Sequence, residues 1–386
     1  MKEILNPLQA NIDSVDLVNE ALDLRAVEID FRMDPRWEPF VAAHPNGTIY
    51  HTRPWLEALE KEYGHKTVTL ACESGNGELR AVLPLAYTRG LPFHIGGDNG
   101  ARRLSSLPRT PMGGPLSIDR LGSAVVVRAA IDLVKQNSGT RLQLKTNDVE
   151  LDGLVDCLVC TPWRLTYILQ FPDRPQDLRV GSSRNRHRIL GAVNKAAKEG
   201  VQIRVAETED DLQAWYQLYL ETMRRNTVPP RPYRFFESLW RSMRSGGLME
   251  LVLAEQFVNK RKKLLAGSIF LMYGNTVSYA FTGVQRKDLS LHPNDALIWH
   301  AIHKACEAGY RFFDFGEVPE GNTGLAAFKS KWGAQPTKLI RYYYPPLKQS
   351  VSDESDGRYY RLAKAVWQRL PLGVTAWLGD WLYGLL

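Results

Sequence analysis

The chain has 386 residues, more than one hydrophobic core usually serves, so two domains are expected. With 44% hydrophobic, 10% aromatic and 24% charged residues, long disorder is excluded. A net charge of +7 suits phosphate-bearing ligands, RNA or an anionic membrane without selecting among them.

The start, Met1 to Glu20, is polar and acidic, and no signal peptide is expected there. His51–Glu60 predicts a helix with Thr52 at its cap and Pro54 in its first turn. Thr67–Cys72 and Leu79–Tyr87 are β-rich runs joined by Ser74-Gly-Asn-Gly, a hairpin signal. Gly90–Pro115 is rich in Gly and Pro and predicts a long loop around a site. A helix at Ser123–Lys135 and a strand at Arg141–Lys145 follow. The apolar run Leu154–Val159 predicts a strand or buried segment, and Tyr167–Phe171 another strand.

After a break at Pro172–Gly181 comes a basic helix, Asn185–Glu199, then a strand, Val201–Val205, and helices at Asp210–Arg225 and Arg234–Arg244, with the rigid loop Pro229-Pro-Arg-Pro between them. Leu248–Glu255 and Leu264–Tyr273 form a hairpin with a basic tip, Asn259–Lys263. Val277–Gly283 is a strand, Ala296–Ala308 a helix, and Arg311–Phe315 a strand. Trp55–Tyr87 with Ser123–Lys145 thus repeats the element order of Phe235–Tyr273 with Ala296–Phe315, which implies two similar α/β domains. The expected bounds are 1–172 and 181–347, with an amphipathic helical tail over 358–386. In that tail Val374, Leu378, Trp381, Leu382 and Leu385 recur at helical spacing, the pattern of a helix that docks on its own domain or lies on a bilayer.

Several chemistries find no support. Cys157 and Cys160 have metal-knuckle spacing but lack a second pair or a nearby histidine cluster, so no metal site is expected. GxSxG is absent, and the eight histidines show no ligand spacing. No run of about 20 apolar residues spans a bilayer, so the expected location is cytoplasmic, with peripheral contact at the inner face of the membrane through the tail as an option.

The most informative segment is Arg311-Phe-Phe-Asp-Phe-Gly-Glu317, followed by Phe328-Lys-Ser-Lys-Trp-Gly333. With Asn185–Gly200, Leu218–Asn226 and Pro293–His300, it resembles the FemAB-like, double GNAT-fold acyltransferases, over roughly Tyr50 to Tyr344. Asp-Phe-Gly also occurs in protein kinases, but their glycine loop and catalytic loop are missing. The resemblance implies an α/β (α+β) fold: two tandem GNAT-like domains, each a mixed sheet flanked by helices, with a cleft where they meet. It also implies transfer of an acyl group, often aminoacyl from tRNA, to an amine. The family includes enzymes that add amino acids to peptidoglycan precursors, and relatives found with exopolysaccharide genes.

Such a reaction needs reactants held in line, worth up to about 7–11 kcal/mol, and positive charge or N–H donors where the carbonyl oxygen becomes negative. The resemblance places Lys329 at the reacting centre. On a helix Lys329 and Phe328 share a face with Trp332, a cation beside two aromatic rings; the plain alternative is two core rings and a surface lysine. Asp314 and Phe315 end a strand that runs into Gly316-Glu317; there Asp314 orients Lys329 or, with Glu317, positions the amine or takes its proton, and the plain alternative is that Asp314 caps the loop. The resemblance also associates a basic residue near Ser182–Arg188 with the acceptor's diphosphate, here Arg184 or Arg188; a solvated basic helix is the alternative. The hairpin tip Lys260–Lys263 is a weaker candidate for tRNA or anionic lipid.

No tightly bound cofactor is expected. GNAT domains that use coenzyme A carry a glycine-rich turn for its pyrophosphate, whereas Val284–Asn294 contains no glycine. Phosphate would meet a helix start at Asn294, where Asp295 would repel it, so aminoacyl-tRNA or another carrier is favoured over acyl-CoA as donor. The acceptor is expected to be an amine on a nucleotide- or lipid-linked envelope or polysaccharide precursor, and the chain a monomer. Rival readings are a coenzyme A-dependent N-acetyltransferase of exopolysaccharide assembly and a non-catalytic GNAT pair acting as a binding module.

Overall fold

The computed structural model describes residues 23–91, 101–146, 151–156, 158–347 and 358–385. The first half contains strand β1 (Arg25–Glu28), helices α1 (Trp37–Ala43) and α2 (Arg53–Tyr63), and strands β2 (Lys66–Glu73), β3 (Leu79–Thr88), β4 (Arg103–Ser105) and β5 (Leu116–Ser117). It closes with α3 (Arg120–Gln136), β6 (Arg141–Thr146) and β7 (Val159–Gln170). The second half runs through α4 (Ser183–Lys198), β8 (Val201–Val205), α5 (Glu209–Asn226), α6 (Tyr233–Met243), β9 (Met249–Val258), β10 (Arg261–Tyr273) and β11 (Thr276–Val284). Then come α7 (Pro293–Glu307), β12 (Phe312–Val318), α8 (Thr323–Lys331), β13 (Gln335–Tyr344), α9 (Arg358–Arg369) and α10 (Leu372–Tyr383).

Local chemistry accounts for most element ends. The Ser182 hydroxyl caps α4 by accepting from Asn185 N–H, and Thr208 with Asp211 forms a capping box on α5. The β9–β10 hairpin turns on only two residues, Asn259 and Lys260, at φ 50° and 61°. Arg261, Lys262 and Lys263 are therefore strand residues, not a floppy basic tip. Such a two-residue turn matches the right-handed strand twist, at the cost of left-handed backbone at both positions.

The strands form one sheet in the order β1-β2-β3-β4-β6-β13-β7-β12-β11-β10-β9-β8, with β5 paired to β3. Only β4–β6 and β11–β12 run parallel among these pairs. The middle of the order is the informative part. β13, from the end of the second half, pairs with β6 of the first, while β7 pairs with β12 of the second. β7 and β13 lie side by side, antiparallel, with Thr166 opposite Thr337. The two halves therefore exchange a strand at the centre of the sheet.

Helix packing ties the halves further. Trp55 of α2 meets Phe235 of α6 edge to face, with ring centroids 5.4 Å apart, and Tyr63 stacks on the same ring at 5.0 Å. Both belong to one apolar cluster that also holds Trp37, Trp215 and Phe236. Burying an aromatic side chain of this size contributes roughly 1.5–3 kcal/mol, so the contact is core and not a sliding interface.

Two segments differ from expectation. The run 154–159 is no strand before β7 begins at Val159, but its buried alternative holds: Leu158 is in an apolar cluster and Leu154 and Val155 pack against it, while Cys157 lies outside the described residues. The tail is two helices, because Pro371 offers no N–H to continue α9 and instead stands before the first turn of α10. On α10 the buried residues are Thr375, Gly379 and Tyr383, four apart, so the face turned inward is not the one led by Val374 and Trp381. Among the described residues no helix is long and apolar enough to cross a membrane, and no group of His, Cys, Asp and Glu is placed to hold a metal ion.

Candidate active site

A cavity of about 560 Å³ opens where the halves meet, lined from the first half by β4, β6, β7 and the loop Pro108–Pro111, and from the second by β11, β12 and β13. One end of it is built by an irregularity in β12. The register with β7 slips between Asp314 and Glu317, and Gly316 at the slip takes φ 77°, which a residue with a Cβ adopts only under strain. This bulge turns the carbonyls of Gly316 and Glu317 to Lys329 of α8, whose Nζ donates to them at 2.7 and 2.9 Å. Asp314 and Glu317 line the cavity; Lys329 sits buried beneath the bulge.

Asp314 is buried, and its Oδ1 accepts from the Thr166 hydroxyl at 2.6 Å and from Gly316 N–H at 2.8 Å. Burial pushes its carboxyl up, while those hydrogen bonds and the Lys329 charge pull it back. Burial lowers the Lys329 amine to about 8, against the opposing influence of Asp314 and Glu317. Glu317 meets Arg164 of β7 at 3.3 Å. The bulge therefore gathers an acid, a second acid with its own cation, and a buried lysine, from β12, β7 and α8.

The cavity is also rich in cations. Arg231, in the loop before α6, is 5% exposed and lies over the rings of Phe235 (4.8 Å), Tyr383 (5.2 Å) and Phe281 (5.3 Å). Its guanidinium donates to Tyr63 Oη at 2.7 Å and to the Arg109 carbonyl, and among the described residues it has no ion-pair partner. A buried cation without a counterion is costly. Arg341 of β13 stacks on Trp163 at 3.3 Å and Arg164 on the same indole at 4.6 Å. The Arg341 Nε–H and Trp163 Nε1–H are buried without a protein acceptor. Lys145 of β6, its amine lowered by burial and then by Arg341, holds the loop in place by donating to the carbonyls of Leu107 (2.6 Å) and Thr110 (3.3 Å).

The remaining residues singled out in the sequence fall elsewhere. Phe315 and Trp332 are 2% and 0% exposed and belong to the apolar cluster behind β12, with centroids 6.4 Å apart. The cation over Phe328 and Trp332 is Lys331, 5.2 Å from each ring, not Lys329. Arg184 and Arg188 are exposed on α4 and do not line the cavity. Asn294 stands at the start of α7 with its Oδ1 buried and unpartnered. Its neighbour Asp295 is matched by Lys331 at 2.5 Å, which offsets the repulsion toward phosphate expected there. The arginines of the cavity wall were not singled out in the sequence; the Pro229-Pro-Arg-Pro loop running into Tyr233, Phe235 and Phe236 was the available signal for Arg231.

The cleft lies at the centre of one mixed sheet with helices packed against it. Residues 183–330 match the family model described as an acetyltransferase (GNAT) domain. The chain is similar in structure to FemX, with a TM-score of 0.60 at 16% identity over 88% of this chain and 100% of that one. It is also similar to L-PGS from Bacillus licheniformis, with a TM-score of 0.54 at 15% identity over 89% and 99%. A third likeness is to the C-terminal domain of a putative lysylphosphatidylglycerol synthetase from Agrobacterium fabrum, with a TM-score of 0.53 at 12% identity over 85% and 93%. No protein of curated function matches the sequence significantly. Residues 183–330 therefore carry a GNAT domain, and the chain as a whole shares the fold of FemX.

Proposed function

We propose that the cleft joins an acyl or aminoacyl group to the amine of an acceptor that carries an anionic moiety, a cell-envelope or polysaccharide precursor. The observation that carries this reading is Arg231: a buried, uncompensated guanidinium in the same cavity as the acidic bulge. Its charge is met when a phosphate or carboxylate of the acceptor binds. The acceptor amine then lies toward Asp314 and Glu317. Asp314, raised by its burial, takes the proton that the amine sheds as its nitrogen bonds the donor's carbonyl carbon; the ester or thioester bond to the carrier then breaks and the carrier leaves as its alcohol or thiol, taking up a proton. Glu317, held by Arg164, orients the amine before attack. The free N–H groups of Arg341 and Trp163 are donors for the carbonyl oxygen as it becomes negative. Lys329 acts by holding the bulge that presents both acids.

FemX and the lysylphosphatidylglycerol synthetase favour an envelope acceptor by analogy of fold. The donor is aminoacyl-tRNA or acyl-CoA. The Lys331–Asp295 pair at the start of α7 favours the second more than the sequence did, since it leaves that helix start electrically open to phosphate. Titration of the protein with acetyl-CoA and, separately, with charged and uncharged tRNA at fixed low salt decides between them. Micromolar binding of acetyl-CoA with tRNA inert establishes acetyl transfer. Salt-sensitive binding of charged tRNA alone establishes aminoacyl transfer, and binding of neither overturns the enzymatic reading.

A further inference from the structure

The outer face of α10 is apolar and unpartnered. Val374, Trp377 and Trp381, at positions i, i+3 and i+7, are 40%, 65% and 48% exposed. The inner face is fixed: Gly379 lies so close to Pro230 that a Cβ there would stand 2.3 Å from its carbonyl oxygen, and Thr375 is fully buried. Asp380, the one charged residue of the helix, is turned to Arg234 at 2.5 Å. The helix is thus anchored by one side and shows rings, without charge, on the other.

The chain leading into that helix carries an excess of positive charge. From Arg358 to Leu385, after the acidic residues Asp353, Glu354 and Asp356, the sequence carries Arg358, Arg361, Lys364 and Arg369 against Asp380 alone. Lys364 and Arg369 are exposed. At the other end, Gly90 N–H donates to the Leu385 carbonyl at 2.9 Å, which brings the exposed Arg89 beside the end of the helix. We infer that α10 docks the protein on an anionic bilayer, with Trp377 and Trp381 at headgroup depth and Lys364, Arg369 and Arg89 against the lipid phosphates. Tryptophan rings favour that interfacial layer, and exposed cations add attraction to anionic lipid. A second copy of the chain is a poor occupant, because a twofold contact would bring two segments with the same excess of positive charge together. Tyr383, on the inner face of the same helix, lies under both Arg231 and Arg109 of the cleft, so the docked helix adjoins the candidate active site.

The test is flotation of the full chain with vesicles of phosphatidylcholine alone and of phosphatidylcholine with one-third phosphatidylglycerol, at 0.1 M salt. Expected is co-flotation with the anionic vesicles, at least tenfold weaker for Trp377→Ser/Trp381→Ser. Lys364→Glu/Arg369→Glu should lose the preference for anionic over neutral lipid. Unchanged melting temperatures show that both variants fold. The proposal is overturned if the unmodified chain stays with the soluble fraction, or if the tryptophan variant floats equally well. It is also overturned if sedimentation finds a dimer that the tryptophan variant breaks. None of these outcomes touches the acyl-transfer reading, whose residues are left intact.

Discussion

Asp314 receives the hydroxyl of Thr166 at 2.6 Å, and the two residues come from different halves of the chain. The candidate base is oriented by the strand that the first half contributes to the second, so its geometry depends on the sheet being continuous. Replacing Asp314 with Asn keeps both hydrogen bonds, since an amide oxygen accepts from Thr166 and Gly316 equally well. Transfer should fall by about 100-fold or more, the usual worth of a positioned base. A variant within tenfold of the unmodified rate removes Asp314 from the chemistry.

The same substitution should not destabilise the fold at neutral pH. A carboxyl whose folded value is raised binds its proton more tightly folded than unfolded. Its contribution is present below the unfolded value and lost as pH rises through the folded one. Once ionised, the buried Asp314 is a net cost that Asn does not carry. Thermal melting of Asp314→Asn at pH 7 should therefore equal or exceed that of the unmodified protein, and the difference should shrink toward pH 4.

Lys329 should titrate about 8, more than two units below an ordinary lysine. Between that value and the unfolded one near 10.4, the unfolded chain holds more protons, so folding gains stability as pH rises through this window. Carbon-13 labelling of lysine side chains and an NMR titration should reveal one resonance with that midpoint, absent in Lys329→Met. A midpoint above 10 for the resonance lost in Lys329→Met would sink this assignment, Lys145 being the other lysine lowered by burial.

Gly316→Ala places a Cβ with 3.9 Å of room to Lys329 Nζ, so the cost is backbone strain alone, about 1–2 kcal/mol for a left-handed alanine. Relaxing that strain pulls the carbonyls away from Lys329. Equilibrium denaturation should show the loss of stability, and kcat should drop with KM little changed.

Arg231→Lys keeps the charge but cannot span Tyr63 and the Arg109 carbonyl together. KM for the acceptor should rise at least tenfold, with a smaller change in kcat. The reverse split would argue that Arg231 acts on the reacting bond.

Much of this was readable from local chemistry. The β2–β3 hairpin lay open in Ser74-Gly-Asn-Gly, and Val201–Val205 was delimited to the residue, because short-range turn and alternation signals set both. Asp314 and Glu317 stood out in the Asp314-Phe-Gly-Glu317 segment, but as residues at a strand end; that β12 runs on through a bulge to Val318 depends on its pairing with β7. What escaped is non-local. Nothing in Gln335–Tyr344 says that it pairs with Arg141–Thr146, almost 200 residues earlier, because any β-rich run fits any open edge. Arg231 escaped for a related reason: its significance comes from Tyr63, Phe281 and Tyr383 closing round it, and those are far apart in sequence.

The exchanged strands carry an evolutionary consequence. A tandem protein with self-contained halves can trade one of them for a homologue in a single recombination event. Here a crossover in the connection after Gln170 would deliver a foreign second half whose last strand must still fit Arg141–Thr146 of the resident first half. Lineages of this chain should therefore inherit both halves as a unit, with β6 and β13 drifting in step.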